Sequence, residues 1–199
     1  DIKSAEIAEF IRKNKLVELN PKYGKEAESR SLASMIALRK AMKKLPIKNA
    51  VSFHSSIDKA RRAITIQGMI SSEYDFDDID TFTVSGKDSV GKRDLTINEF
   101  ARSNSALITN ARCLTEGVDI PKIDCIVFSD PKRSKVDIVQ ALGRALRKKE
   151  GKKWGYVILP VVYDEKTHEI DNDSFKDILG IIRGLAANDE RIIEYFKTS

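Results

Sequence analysis

Short apolar runs recur along this chain of 199 residues, each followed by a stretch with helical spacing, and that alternation restricts the fold more than any other feature. Residues 50–56, 81–86, the run from Ala106, residues 125–128 and residues 155–162 all read as strands. Runs that are apolar throughout have the pattern of a strand covered on both faces. Between the strands lie helical patterns. One covers residues 29–45 with Leu32, Met35, Ile36 and Leu38 as its stripe, one is opened by Ser55 and Asp58 as a capping box and continues through Arg62, and one ends near Phe100. Strand and helix in turn over residues 29–165 argue for an α/β domain, an open and mostly parallel sheet with helices on both faces. Ligands of such sheets gather at the carboxyl ends of the strands, so the loops after Phe53, Val84 and Thr109 are expected on one rim. Helical extensions are expected to flank this domain. Residues 1–28 carry Ile7, Phe10, Ile11 and Leu16, and residues 166–199 carry Phe175, Ile178, Leu179, Ile182 and Leu185, then a break near Asn188 before Ile192, Ile193 and Phe196.

The most chemically pointed stretch is Gln140-Ala141-Leu142-Gly143-Arg144-Ala145-Leu146-Arg147, opened by a second capping-box pattern at Ser134 and Asp137. At ~100° per residue, Gln140, Gly143, Arg144 and Arg147 fall on one side of a helix, and Ile138, Val139, Leu142 and Leu146 fall roughly opposite. A guanidinium is charged at any working pH and its planar fork matches phosphate oxygens. Two on one face of a rigid helix can meet a triphosphate; taken alone, they could equally be a solvated basic stripe running on into Lys148 and Lys149.

Upstream, the apolar run from Ala106 stops abruptly in Thr115-Glu116-Gly117-Val118-Asp119-Ile120-Pro121, which reads as a buried strand ending in a loop. Gly117 permits close backbone approach, Asp119 offers a carboxylate, and Pro121 prevents helical continuation. These two segments together resemble motifs V and VI of the C-terminal RecA-like domain of superfamily 2 helicases and translocases. Residues 50–56 look like motif IV of the same family, and Lys92 and Arg93 resemble its motif IVa; the likeness covers roughly residues 29–165. Gln140-Ala141 at the start of motif VI, where many RNA-remodelling members have His-Arg, is more similar to DNA translocases of restriction systems.

The resemblance implies the second motor lobe of an ATP-dependent helicase or translocase. ATP and Mg2+ would be held mainly by an N-terminal RecA-like lobe, with Arg144 and Arg147 inserted as catalytic arginine fingers and Gly117, Asp119, Gln140 and Gly143 near the nucleotide. It places His54, Ser55, Ser56, Gly86, Lys87, Asn110, Arg112 and Thr115 along a nucleic-acid backbone, DNA by the restriction-system likeness. The residues alone leave His54 open to a role as a strand-end cap, and Ser55 and Ser56 to roles as helix caps.

The chain contains no G-x-x-x-x-G-K-[ST] phosphate loop, and Gly86-Lys87-Asp88-Ser89 is too short to cradle a triphosphate. This segment alone is therefore not expected to hydrolyse ATP. A net charge of +5 is compatible with an anionic partner without identifying one. Cys113 and Cys125 sit in apolar neighbourhoods and read as packing residues, so no disulfide and no metal site is expected. No apolar run approaches the ~18 residues of a membrane span, and a soluble cytoplasmic protein with no membrane partner is expected. Residues 73–80 are acidic and read as a solvated connection. Two rivals stand beside the half-motor. One is a non-catalytic nucleic-acid-binding RecA-like module; the other is a dinucleotide enzyme, for which G-x-G-x-x-G is missing.

Overall fold

The structure is a computed structural model that describes residues 25–111, 123–130, 138–139, 142–143, 155–159, 162–163, 170–171, 178 and 180–181. In chain order the elements are α1 (Lys25–Lys44), β1 (Asn49–Phe53), α2 (Ile57–Tyr74), β2 (Asp80–Ser85), α3 (Val90–Arg102), β3 (Ala106–Ala111), β4 (Cys125–Phe128), β5 (Tyr156–Ile158), β6 (Val162–Tyr163) and β7 (Ile170–Asp171). The first five strands form one sheet in the order β2-β3-β1-β4-β5, and every pairing in it is parallel. Register aligns Phe53 with Asn110 and Phe128, and Val84 with Asn110. The strands therefore finish together on one rim, as the alternation of elements requires.

Alternate residues of the buried strands serve two separate cores. Ala50, Leu107, Cys125 and Val127 face α1 and α2, where Leu32, Met35, Ile36, Leu38, Ala63, Ile66 and Ile70 are buried. Val51, Phe53, Ile108, Ile126 and Phe128 face the other way, onto Ile97 and Phe100 of α3 and onto Ile138, Leu142 and Ile178. Phe53 and Phe128 stack at 5.6 Å between ring centroids, fastening β1 to β4 close to the rim. Helices on both faces of a parallel sheet follow from this period-2 division of apolar surface.

Several elements differ from the sequence expectation. α2 continues past Arg62 to Tyr74 because Ala63, Ile66, Gln67 and Ile70 extend its buried stripe. It ends at Asp75, whose φ of 49° is left-handed and whose N–H reaches the Ser71 carbonyl; aspartate tolerates this conformation better than most residues. The helix cap is Ser56, one residue after the expected Ser55, since the Ser56 side chain accepts the Lys59 N–H. The run 155–162 is not one strand: it holds β5 and the start of β6. β6 instead pairs antiparallel with β7, which falls in the segment expected to be helical. Val139, expected on the apolar side of its helix, is 46% exposed: Ile138 and Leu142 define the buried direction, and Val139 stands about 80° round from it.

In residues 73–80 the carboxylates are exposed as expected, but Tyr74 and Phe76 are half-buried and stacked at 5.6 Å. Arg39 of α1 is buried beside them, with Nη1 donating to Gln67 Oε1 and Ser71 Oγ and Nη2 donating to the Asp77 carbonyl. Burial lowers the Arg39 pKa, against an opposing pull from Asp78 and Asp77. The stripe expected at Ile7, Phe10, Ile11 and Leu16, the cap at Ser134, Cys113, and the tail positions Phe175, Leu179, Ile182, Leu185, Asn188, Ile192, Ile193 and Phe196 lie outside the described residues. Cys125 is buried, as a packing residue is expected to be.

Candidate functional site

β1 leaves the sheet at Phe53 and turns into α2 through His54, Ser55 and Ser56. His54 is fully buried: its backbone N–H donates to the Asn110 carbonyl at 2.9 Å, and its Nε2 lies 2.9 Å from Ser52 Oγ. Ser55 and Ser56 are half-buried. The Ser56 hydroxyl oxygen caps α2, which leaves its proton to donate outward.

The β4 exit meets this turn. Ser129 N–H donates to the Phe53 carbonyl at 3.2 Å, and Ser129 Oγ lies 3.2 Å from Ser34 Oγ of α1. Next to it, Asp130 Oδ2 accepts the Ser55 N–H at 2.7 Å, while Asp130 Oδ1 receives Lys59 Nζ at 2.6 Å. Lys59 Nζ also donates to Ser55 Oγ at 2.9 Å. Burial pushes the Asp130 carboxyl upward, but the Lys59 hydrogen bond, the Ser55 amide, the Lys59 charge and, last, His54 outweigh it and hold the pKa below the usual carboxylate value.

A second turn on the rim joins β2 to α3. Asp88 Oδ2 accepts both the Ser85 N–H at 2.7 Å and the Ser85 hydroxyl at 2.9 Å. Lys92 Nζ donates to Asp88 Oδ1 at 2.8 Å, and Ser89 caps α3 by accepting the Lys92 N–H. Here the Lys92 hydrogen bond, above all, lowers the Asp88 pKa. Gly86 and Lys87 are exposed at the tip, and a Cβ on Gly86 would meet nothing within 4 Å.

Of the residues singled out for nucleic-acid contact, the structure gathers His54, Ser55, Ser56, Gly86, Lys87 and Asn110 on this rim. Asn110 is wholly buried, like His54. The other four present an exposed or half-exposed surface. Arg112 and Thr115 lie outside the described residues, as do Gly117, Asp119, Gln140, Arg144 and Arg147. Gly143 is described: it is helical and exposed, and a Cβ there would meet nothing within 4 Å. Among the described residues no group of three or more His, Cys, Asp or Glu could hold a metal ion, and no helix is long and apolar enough to cross a membrane.

Lys59, Asp130 and Asp88 were not singled out by sequence reasoning. A signal existed in the two lysines three residues after a capping serine, since a cation at a helix amino terminus opposes the helix dipole and asks for a nearby anion. Locating Asp130 needed the register of β1 and β4.

The profile of the helicase conserved C-terminal domain matches residues 33–149. The protein named "Probable helicase A859L" from a Kenyan pig isolate of African swine fever virus is 32% identical over 101 residues, half of this chain and 12% of the viral protein. Among solved structures, the ATP-dependent Type ISP restriction-modification enzyme LlaBIII bound to DNA is 27% identical with a TM-score of 0.66, over 85% of this chain and 13% of that enzyme. The C-terminal domain of the DEAD-box protein Dbp5 shares the fold at 18% identity and a TM-score of 0.53, over 82% of this chain and 88% of that one.

Proposed function

Because the chain belongs to the helicase conserved C-terminal domain family, with the RecA-like lobe of superfamily 2 proteins as its fold, we propose that it is the second motor lobe of an ATP-dependent translocase acting on DNA. ATP and Mg2+ would sit mainly on a partner RecA-like lobe of the same polypeptide. This lobe would contribute Gly117, Asp119, Gln140 and Gly143 to the nucleotide's surroundings, and Arg144 and Arg147 to the charge that develops during phosphoryl transfer. Closure of the two lobes would then drive stepping along a strand.

The observation that carries this reading is the match of the helicase conserved C-terminal domain profile to residues 33–149, a span that holds Gly117, Asp119, Gln140, Gly143, Arg144 and Arg147. The same span holds the β1–α2 and β2–α3 turns that the parallel sheet brings to one rim.

On the rim, the outward hydroxyl protons of Ser55 and Ser56 and the ammonium of Lys87 supply sequence-independent donors for a sugar-phosphate backbone. The burial of His54 and Asn110 supports supporting roles for them beneath that surface.

The test is ATP hydrolysis by the full-length protein. Arg144→Ala should lower DNA-stimulated turnover by about 10³-fold or more with a modest change in ATP affinity. Unchanged turnover would favour the non-catalytic binding module. Gly143→Ala is the sharper companion, expected to leave the helix as stable or more so while turnover falls.

A further inference from the structure

The two rim turns use the same parts, yet their carboxylates come from different places. Asp88 lies within its own turn, three residues from Ser85 and four from Lys92. Asp130 lies 75 residues from Ser55 and 71 from Lys59, at the exit of β4. In the sequence it precedes Ile138 and Leu142, and then the arginine pair. A half-buried ion pair is a poor way to hold two segments together for stability alone, because apolar residues of similar size often do as well or better.

We infer that Asp130 and Lys59 are positioning residues that join the β1–α2 turn to the β4 exit, so that engagement of the turn by a nucleic-acid backbone is passed to β4 and raises ATP turnover. The inference rests on the half-motor reading. Lys59 Nζ is the pivot, since it touches Ser55 Oγ on the nucleic-acid side and Asp130 Oδ1 on the motor side. The Ser55 amide is already committed to Asp130 Oδ2. A phosphate at Ser55 therefore bonds to a group whose position is shared with the β4 exit. Ser129 strengthens the joint, with bonds to the β1 carbonyl at Phe53 and to Ser34 of α1.

The experiment measures ATP hydrolysis by the full-length protein during titration with a mixed-sequence DNA duplex. Lys59→Met and Asp130→Asn should each lower the maximal DNA-stimulated kcat about tenfold while the KM for ATP stays within about twofold. Lys59→Arg should recover most of the loss, because a guanidinium still meets the carboxylate. Asp88→Asn should keep stimulated kcat within about twofold, because its bonds close within one turn. If Lys59→Met and Asp130→Asn behave like Asp88→Asn while Arg144→Ala abolishes turnover, the joint does not position the motor and the inference is overturned. Loss that Lys59→Arg fails to recover, or a KM that rises in step with the fall in kcat, overturns it equally. If Arg144→Ala leaves turnover intact, the half-motor reading fails and takes the inference with it. Should Asp130→Asn fold poorly in thermal melts, Lys59→Met removes the same ion pair from its more exposed side and decides the matter.

Discussion

The turn from β1 to α2 and the turn from β2 to α3 are chemical twins that differ in reach. Each has a serine cap, a lysine three residues later, and an aspartate that takes a strand-exit amide together with that lysine's ammonium. In the first, the lysine and aspartate side chains are 23% and 12% exposed; in the second the lysine is 66% exposed. The lesson is that an identical donor set can be a local clasp or a joint between distant segments, and only the origin of the carboxylate separates the two.

The largest expected effect that tests this contrast is Asp130→Ala. It leaves the Ser55 N–H without its acceptor and takes the carboxylate from the Lys59 ammonium, and should cost about 2–4 kcal/mol, read as faster hydrogen exchange throughout the first turn of α2. The pH dependence should follow the lowered Asp130 pKa. A depressed carboxyl contributes stability above its unfolded pKa of about 3.9 and loses that contribution as pH falls through the folded value. Wild type and Asp130→Asn should therefore differ most at neutral pH and converge in acid. Ser56→Ala and Ser89→Ala should each cost about 1 kcal/mol, because the caps are alike in both turns. A marked inequality between the caps would show that the turns are less similar than their bonds imply. Asp88→Ala should cost about 1 kcal/mol, since the Ser85 N–H and hydroxyl lose their acceptor while water reaches Lys92 readily; a loss as large as that of Asp130→Ala would break the comparison. Smallest is Gly86→Ala, expected within about 0.5 kcal/mol in a urea titration because open space surrounds that position.

Much of the framework could be read before any coordinates. Apolar runs at Cys125–Phe128 and from Ala106 declared buried strands, and Leu32, Met35, Ile36 and Leu38 declared the stripe of α1. Periodicity is a local property, and these elements obey it. The places where reading stopped are those that local pattern does not encode. Ser55 and Ser56 are adjacent serines, and which one caps α2 is decided by Asp130 taking the Ser55 amide from a distant strand. Val139 is apolar yet exposed, because the buried direction is set by where Ile138 and Leu142 meet the sheet. The resemblance places His54 and Asn110 along a nucleic-acid backbone, with His54 also open to a strand-end cap, and both are buried where β1 pairs with β3.

The strand order carries a consequence for how the polypeptide is made. β1 is central, but its neighbours are β3 and β4, and Asn49 must wait for Asp124, 75 residues later, before its amide is bonded. On a ribosome, Val51 and Phe53 would emerge long before either partner, while α1 and α2 could already pack on each other. Nascent chains interrupted before residue 125 should therefore expose a sticky central ribbon and recruit chaperones, and those released after it should not.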